Sequence, residues 1–266
     1  MITTVKVGAL EYLTADNIAT PHCFTTRFGG VSTGHLASLN LGTHRGDDPE
    51  NVLQNFRIIG DAVGFSPETL VLTTQTHTDI VRLVGAECLG AGLLFPKLPE
   101  CDALITCEPG VALAAFTADC TPVLLWDTVT GAVGAVHAGW RGTAACIAAK
   151  AAQKMVEIFD CDPKNIHAAI GPNIAQCCFQ TDADVPQAML AAMGSAAAAH
   201  IRQDGSKYYV NLKELNALQL RTAGVESIEI SQDCTVCQCH RYWSHRKVGQ
   251  NRGSQAAIIV CKEAQQ

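Results

Sequence analysis

Apolar positions along the chain follow two periods, one helical and one alternating. Val52, Phe56, Ile59 and Val63 recur on one helical face between Asp48 and Gly64. Asp48 supplies an N-cap, Pro49 a preset first position and Gly64 a stop, which predicts a helix over 49–63. Ile147, Ala151, Met155, Ile158 and Phe159 predict a second helix over 143–159, with Pro163 beyond its end. A third is predicted over 212–223, closed by Gly224.

Short runs rich in β-branched residues predict strands at 70–76, 80–84, 112–117, 122–126, 133–137, 166–170, 227–230 and 256–260. The segment from Trp126 to Gly131 reads as a hairpin connection, so its neighbours are expected to be antiparallel. Strands and helices mix without a regular βαβ alternation, which favours an α+β fold with mixed sheets. The Ala-rich stretch 194–199 reads as a helix end or small loop. No linker composition and no fixed-period repeat interrupts the chain, so one domain over 1–266 is expected.

Composition narrows the function classes. Hydrophobic residues make 48% of the chain and charged residues 17%, the balance of an ordered globular protein. The net charge of −6 argues against a nucleic-acid or anionic-membrane partner. No apolar run approaches the roughly 18 residues of a membrane span, and the first residues do not read as a signal peptide, so a cytoplasmic setting is expected. Thirteen cysteines, an odd count without a secretion signal, are expected to be reduced thiols. Most of them should be small buried hydrophobes.

The dinucleotide, Walker A, HExxH and GxSxG motifs are all missing. Cys234, Cys237, Cys239 and His240 look like half a zinc site, but no second paired knuckle appears. Ordinary thiols rank first for them and a local metal second.

The informative region runs from Gln75 to Gly142. His77 follows one expected strand, Cys120 lies between two, and His137 ends another before a Gly-rich turn. Taken singly, each reads as an inert histidine or a core cysteine. Together, two imidazoles and one thiolate suit a zinc ion that keeps an open position. Gly139, Gly142 and the expected helix start offer backbone N–H groups to an anion, with Arg141 beside them. The bland alternative is a plain strand–helix turn with Arg141 in a surface ion pair.

Several longer strings then resemble the YfiH-type family, also known as laccase-domain or polyphenol oxidase proteins and as purine nucleoside phosphorylases. They are Phe24-Thr25-Thr26-Arg27-Phe28-Gly29-Gly30, Ser38-Leu39-Asn40-Leu41-Gly42, Thr117-Ala118-Asp119-Cys120-Thr121-Pro122 and His137-Ala138-Gly139-Trp140-Arg141-Gly142. Ile170-Gly171-Pro172-Asn173 and Ser231-Gln232-Asp233-Cys234 continue the match over nearly the whole chain.

The resemblance implies one zinc held by His77, Cys120 and His137. It implies phosphorolysis of adenosine, inosine, guanosine and methylthioadenosine, with adenosine deamination as a further activity. It also implies mixed sheets flanked by helices, related to the catalytic domain of cytotoxic necrotizing factors. Purine nucleoside and inorganic phosphate are then the partners. Arg27 and Asn40 are expected against the nucleoside and Arg141 against phosphate, with Arg27 equally readable as a structural ion-pair residue. Asp119 reads as an orienter of a ligand or as a turn former.

Two other readings stand beside this one. A copper-dependent polyphenol oxidase (laccase) needs many histidines, typically as His-x-His pairs, and the nine here form none. A metal-free cysteine hydrolase or amidase would use Cys120 as nucleophile and His137 as base.

Overall fold

The computed structural model describes residues 1–263. Two six-stranded sheets dominate it. The first orders strands Ile2–Val7, Leu10–Ala15, His22–Thr25, Gln255–Val260, Ala112–Thr117 and Leu70–Leu72. The second orders Ser227–Ile230, Ile166–Ile170, Thr121–Asp127, Val133–Ala138, Ala103–Thr106 and Val81–Leu83. The first sheet has one parallel pair and the second has two, the rest being antiparallel, as expected of mixed sheets.

Side-chain alternation stacks the layers. In two adjacent inner strands of the first sheet, Ala112–Thr117 and Gln255–Val260, Leu113, Ala115, Ala257 and Ile259 pack inward against Leu124, Ala135 and Ala169 of the second. The opposite face, with Ala112, Ala114, Ala256 and Ile258, is covered by Val52, Phe56 and Ile59 of the helix Pro49–Val63. The outer face of the second sheet, with Val123, Leu125 and Val136, is covered by Ile147, Ala151 and Met155 of Ile147–Phe159 and by Ala217 and Leu220 of Leu212–Thr222. The result is a four-layer helix–sheet–sheet–helix sandwich. Full burial of Phe56 or Ile59 contributes roughly 1.5–3 kcal/mol each.

The first helix forms as its caps predict. Asp48 accepts a hydrogen bond from the Glu50 N–H at 3.0 Å, and Gly64 ends the run in the left-handed region at φ 100°. The hairpin is also as expected, with Trp126 opposite Val133 in an antiparallel pair. The 194–199 stretch falls in a 3₁₀ turn, Gly194–His200, that follows the helix Asp184–Met193.

Two expectations need correction. The helix expected over 143–159 is broken at Cys146 (φ 60°) into Trp140–Ala144 and Ile147–Phe159. The Thr143 carbonyl accepts from the Gln219 side chain at 2.6 Å and from the Cys146 N–H at 3.0 Å, so the helical ladder does not pass through it. The strand expected over 70–76 ends at Leu72. Beyond it the N–H groups of Thr76, His77 and Thr78 turn to the Asp102 carboxylate.

Those segments matter for position. The chain crosses from the first sheet to the second twice in this region, at 73–80 and at 118–120. His77 lies on one crossing and Cys120 on the other. A small third sheet, Gln180–Thr181, Lys207–Val210 and Ile201–Asp204, packs to one side with Asp184–Met193. No helix among the described residues is long and apolar enough to cross a membrane.

Candidate metal centre and the cleft around it

Asp102 begins the construction. It is fully buried at the start of Ala103–Thr106, where an isolated charge would be costly. Its carboxylate accepts N–H bonds from Thr76, His77 and Thr78 at 3.1, 3.1 and 2.8 Å, and the Thr78 hydroxyl at 2.8 Å. His137 Nδ1 donates to its Oδ1 at 2.7 Å. One carboxylate thus fixes the loop that carries His77 and holds a proton on His137 Nδ1, so that Nε2 is the nitrogen left for a metal.

The ligand atoms of His77, Cys120 and His137 lie within 4.8 Å of one another. Cys120 Sγ and His77 Nε2 are 3.9 Å apart, and the two imidazoles meet edge to face at 5.0 Å between ring centres. His77 holds the left-handed region at φ 65° and Asp119, beside Cys120, at φ 90°. Such backbone persists where the surroundings over-determine it, as here at both crossings. Gly139 closes the site from behind: a Cβ there would stand 2.8 Å from His77 Cδ2 and 3.3 Å from Cys120 Sγ.

Electrostatics pair the groups. Burial raises the Cys120 thiol, but the charge and hydrogen bond of His137, with the hydrogen bond of His77, outweigh it and bring the thiol down to about 6. Burial lowers His137, yet the charge of Cys120 and the Asp102 bond raise it to about 9. Burial raises Asp102, and its bonds and attraction to His137, with the bonds from Thr78, bring it to about 2. With no ion bound, the site is a thiolate–imidazolium pair anchored on a carboxylate.

Asp119 does not reach either imidazole among its hydrogen bonds. It accepts from the Thr235 hydroxyl at 2.6 Å, the Ser244 hydroxyl at 3.1 Å and the Arg246 N–H at 2.6 Å. Both readings of this residue therefore reduce to a turn former that ties the Cys120 crossing to the segment 235–246.

The three donors open on a cleft of about 360 Å³, and His77 and Cys120 also line an adjoining hollow of about 410 Å³. Arg45 and Arg252 line both. Arg45 donates to the Ser254 hydroxyl at 3.3 Å, and Arg252 to the Gly253 carbonyl at 2.9 Å and the same hydroxyl at 3.3 Å. Neither bonds a carboxylate, and Arg252 Nε is buried with no partner among the described residues. Burial and the neighbouring Arg45 lower Arg252 to about 10. Two close cations that bond no carboxylate make a site for an anion.

Three residues expected at the substrate line neither hollow. Arg27 donates to the Ala37 carbonyl at 2.7 Å and the Cys239 carbonyl at 3.3 Å, and lies over the Trp243 ring at 3.9 Å. It clamps three loops and lines neither hollow. Asn40 is fully buried, donating to Asp47 and accepting from Gly42 and Ser254, so it shapes the cleft wall from behind. Arg141 stacks on Trp140 at 4.3 Å and also stays out of the lining. Its helix is only five residues long and begins behind the donors.

Comparison with known proteins follows the same geometry. The family described as multi-copper polyphenol oxidoreductase laccase matches residues 21–262. The chain belongs to this family. Its relatives include proteins named purine nucleoside phosphorylase from Bacteroides thetaiotaomicron, 35% identical over 87% of this chain and 88% of that one, and YfiH of Escherichia coli, 34% identical over 89% and 92%. The solved structure of YlmD from Geobacillus stearothermophilus superposes with a TM-score of 0.93, at 33% identity, over 99% of this chain and 100% of that one.

The donor set tests the metal that the family description suggests. Two imidazoles, one of them anchored on a carboxylate, and one thiol fit a single ion of the zinc or copper kind. No methionine lines either hollow to serve as the axial ligand of an electron-transfer copper. The described residues hold no further histidine cluster for additional coppers.

Proposed function

We propose that the chain is a zinc-dependent purine nucleoside phosphorylase working in the cytoplasm as one domain. Its substrates in this reading are adenosine, inosine, guanosine and methylthioadenosine, with adenosine deamination as a second activity. The observation that carries the reading is the meeting of His77, Cys120 and His137 beside the Arg45–Arg252 pair. Relatives that cover most of both chains and are named purine nucleoside phosphorylase support it.

His77, Cys120 and His137 would hold a zinc ion, which when bound would supply a Lewis acid for polarising substrate oxygen or activating water. The chain's own residues do the rest. Asp102 keeps the proton on His137 Nδ1 and so keeps Nε2 available. Arg45 and Arg252 hold inorganic phosphate, and Leu72 and Phe116 give the cleft an apolar wall for the base. In phosphorolysis a phosphate oxygen bonds to the anomeric carbon as the glycosidic C–N bond breaks. The purine leaves with the bonding electron pair and takes up a proton. In deamination water adds at the amino-bearing carbon and ammonia leaves.

One observation favours a second reading. Cys120, His137 and Asp102 stand in the order nucleophile, base and orienter of a cysteine hydrolase. In that chemistry His77 would orient or polarise rather than ligate, whereas a metal uses all three donors as ligands. Exhaustive chelation separates the two. The zinc reading expects activity to vanish and to return with added zinc, and full activity in metal-free protein would overturn it.

A further inference from the structure

A second cluster lies away from the cleft. The loop after Ile166–Ile170 carries Cys177 and Cys178, and the turn after Ser227–Ile230 carries Cys234 and Cys237. All four sulfurs lie within 4.8 Å of one another. Cys177 is 3.7 Å from both Cys178 and Cys237, and Cys178 is 3.4 Å from Cys237. Four sulfurs at about 2.3 Å from a tetrahedral zinc stand about 3.8 Å apart. A disulfide would need about 2.05 Å.

From this geometry we propose that Cys177, Cys178, Cys234 and Cys237 hold a structural zinc-class divalent cation as a tetrathiolate site. The surroundings suit it. The Ala175 N–H donates to Cys234 Sγ at 3.4 Å, and the N–H groups of Val236 and Cys237 also serve that sulfur. Four thiolates and a divalent cation leave two negative charges, and the buried Lys213 ammonium faces Cys234 and Cys177. Lys213 is held there by the carbonyls of Ser231 and Asp233 at 2.7 and 2.6 Å. Cys239 lies outside the group, so the half-site legible in the sequence is completed by a vicinal pair rather than by its own neighbours.

The ion would staple the 175–180 loop to the 233–246 segment. Arg246 donates to the carbonyls of Cys178 and Gln180 at 3.0 and 3.1 Å, while its N–H and the Thr235 hydroxyl hold Asp119 beside Cys120. The site therefore positions one wall of the cleft and takes no part in bond making.

The test uses the full chain with Cys120→Ala, which removes one donor of the first centre. Protein is reduced, stripped of metal and given zinc alone, then bound zinc is counted and alkylated cysteines are mapped by mass spectrometry. The expected result is one zinc per chain, with Cys177, Cys178, Cys234 and Cys237 protected and Cys239 labelled. Adding Cys237→Ser should abolish both. Mapping in the wild type, where Cys120 should join the protected set, covers the case of a misfolded variant. Zinc that leaves the four thiols open to alkylation, or a Cys178–Cys237 disulfide in protein prepared without oxidant, overturns the proposal. A wild type that binds a single zinc at these four cysteines would sink the first centre and leave this one standing.

Discussion

Asp102 and His137 are joined twice: the carboxylate accepts from His137 Nδ1 at 2.7 Å, and the Asp102 carbonyl accepts from the His137 N–H at 2.7 Å. The same residue thereby sets both the ring and the strand register of a metal donor. Asp102→Asn keeps the shape and removes the charge. Zinc affinity should fall roughly 10–100-fold, as outer partners of ligating histidines do. Competition with a chelator of known affinity reads this, and unchanged affinity would contradict the role given to Asp102.

Gly139→Ala tests the packing behind the donors. The new methyl meets His77 Cδ2 at 2.8 Å and Cys120 Sγ at 3.3 Å, and both must move. Zinc binding and activity should drop together while thermal unfolding changes little, because the contact is with the site and not with the core. Calorimetry beside metal analysis checks both halves.

Acidity follows from the thiolate–imidazolium pair. In metal-free protein the Cys120 thiol is held down to about 6, so its alkylation rate should rise through that pH and level off near neutrality. Zinc must displace a proton from His137, which stays protonated up to about 9. Affinity should therefore climb with pH, by about tenfold per unit for one released proton, and flatten above that value. Pulsed alkylation and zinc titration across the range measure the two, and a pH-independent affinity would deny the pair.

We place the anion site with Arg45 and Arg252, which line the cleft, rather than with Arg141, which does not. Arg252→Ala should cost phosphate binding roughly 1.5–3 kcal/mol if a charged hydrogen bond is lost. Phosphate KM should rise accordingly while deamination, which needs only water, persists. Arg141→Ala should leave phosphate KM in place. Steady-state kinetics of the two variants decide between the two positions.

Much of this was legible along the chain, and the gaps have physical causes. The helix Pro49–Val63 carries its cap, proline, apolar stripe and terminal glycine within one short segment, so local rules suffice. At the break by Cys146 the Thr143 carbonyl is taken by Gln219, 76 positions beyond Thr143, and no local pattern reports that. Cys120 and His137 stand out by residue type and by long motifs, and His77 by residue type and its place after an expected strand. Asp102 is a lone aspartate before a strand, and its meaning lies in the loop it receives from the other sheet. Arg27 and Asn40 sit in motifs as long as the others, yet their bonds go to loop carbonyls and an aspartate. A motif marks residues the fold needs as readily as those the substrate meets. Arg45 and Arg252 become neighbours only because the segments 40–46 and 249–255 fold together over Ser254.

The central claim is phosphate attack at the sugar in a cleft served by the His77–Cys120–His137 centre. Its most direct measurement is the fate of the sugar when zinc-loaded protein meets inosine with and without inorganic phosphate. The account predicts hypoxanthine and ribose 1-phosphate in equal amounts with phosphate, and no base release without it. Free ribose at the same rate in phosphate-free buffer would contradict it and make the protein a hydrolase.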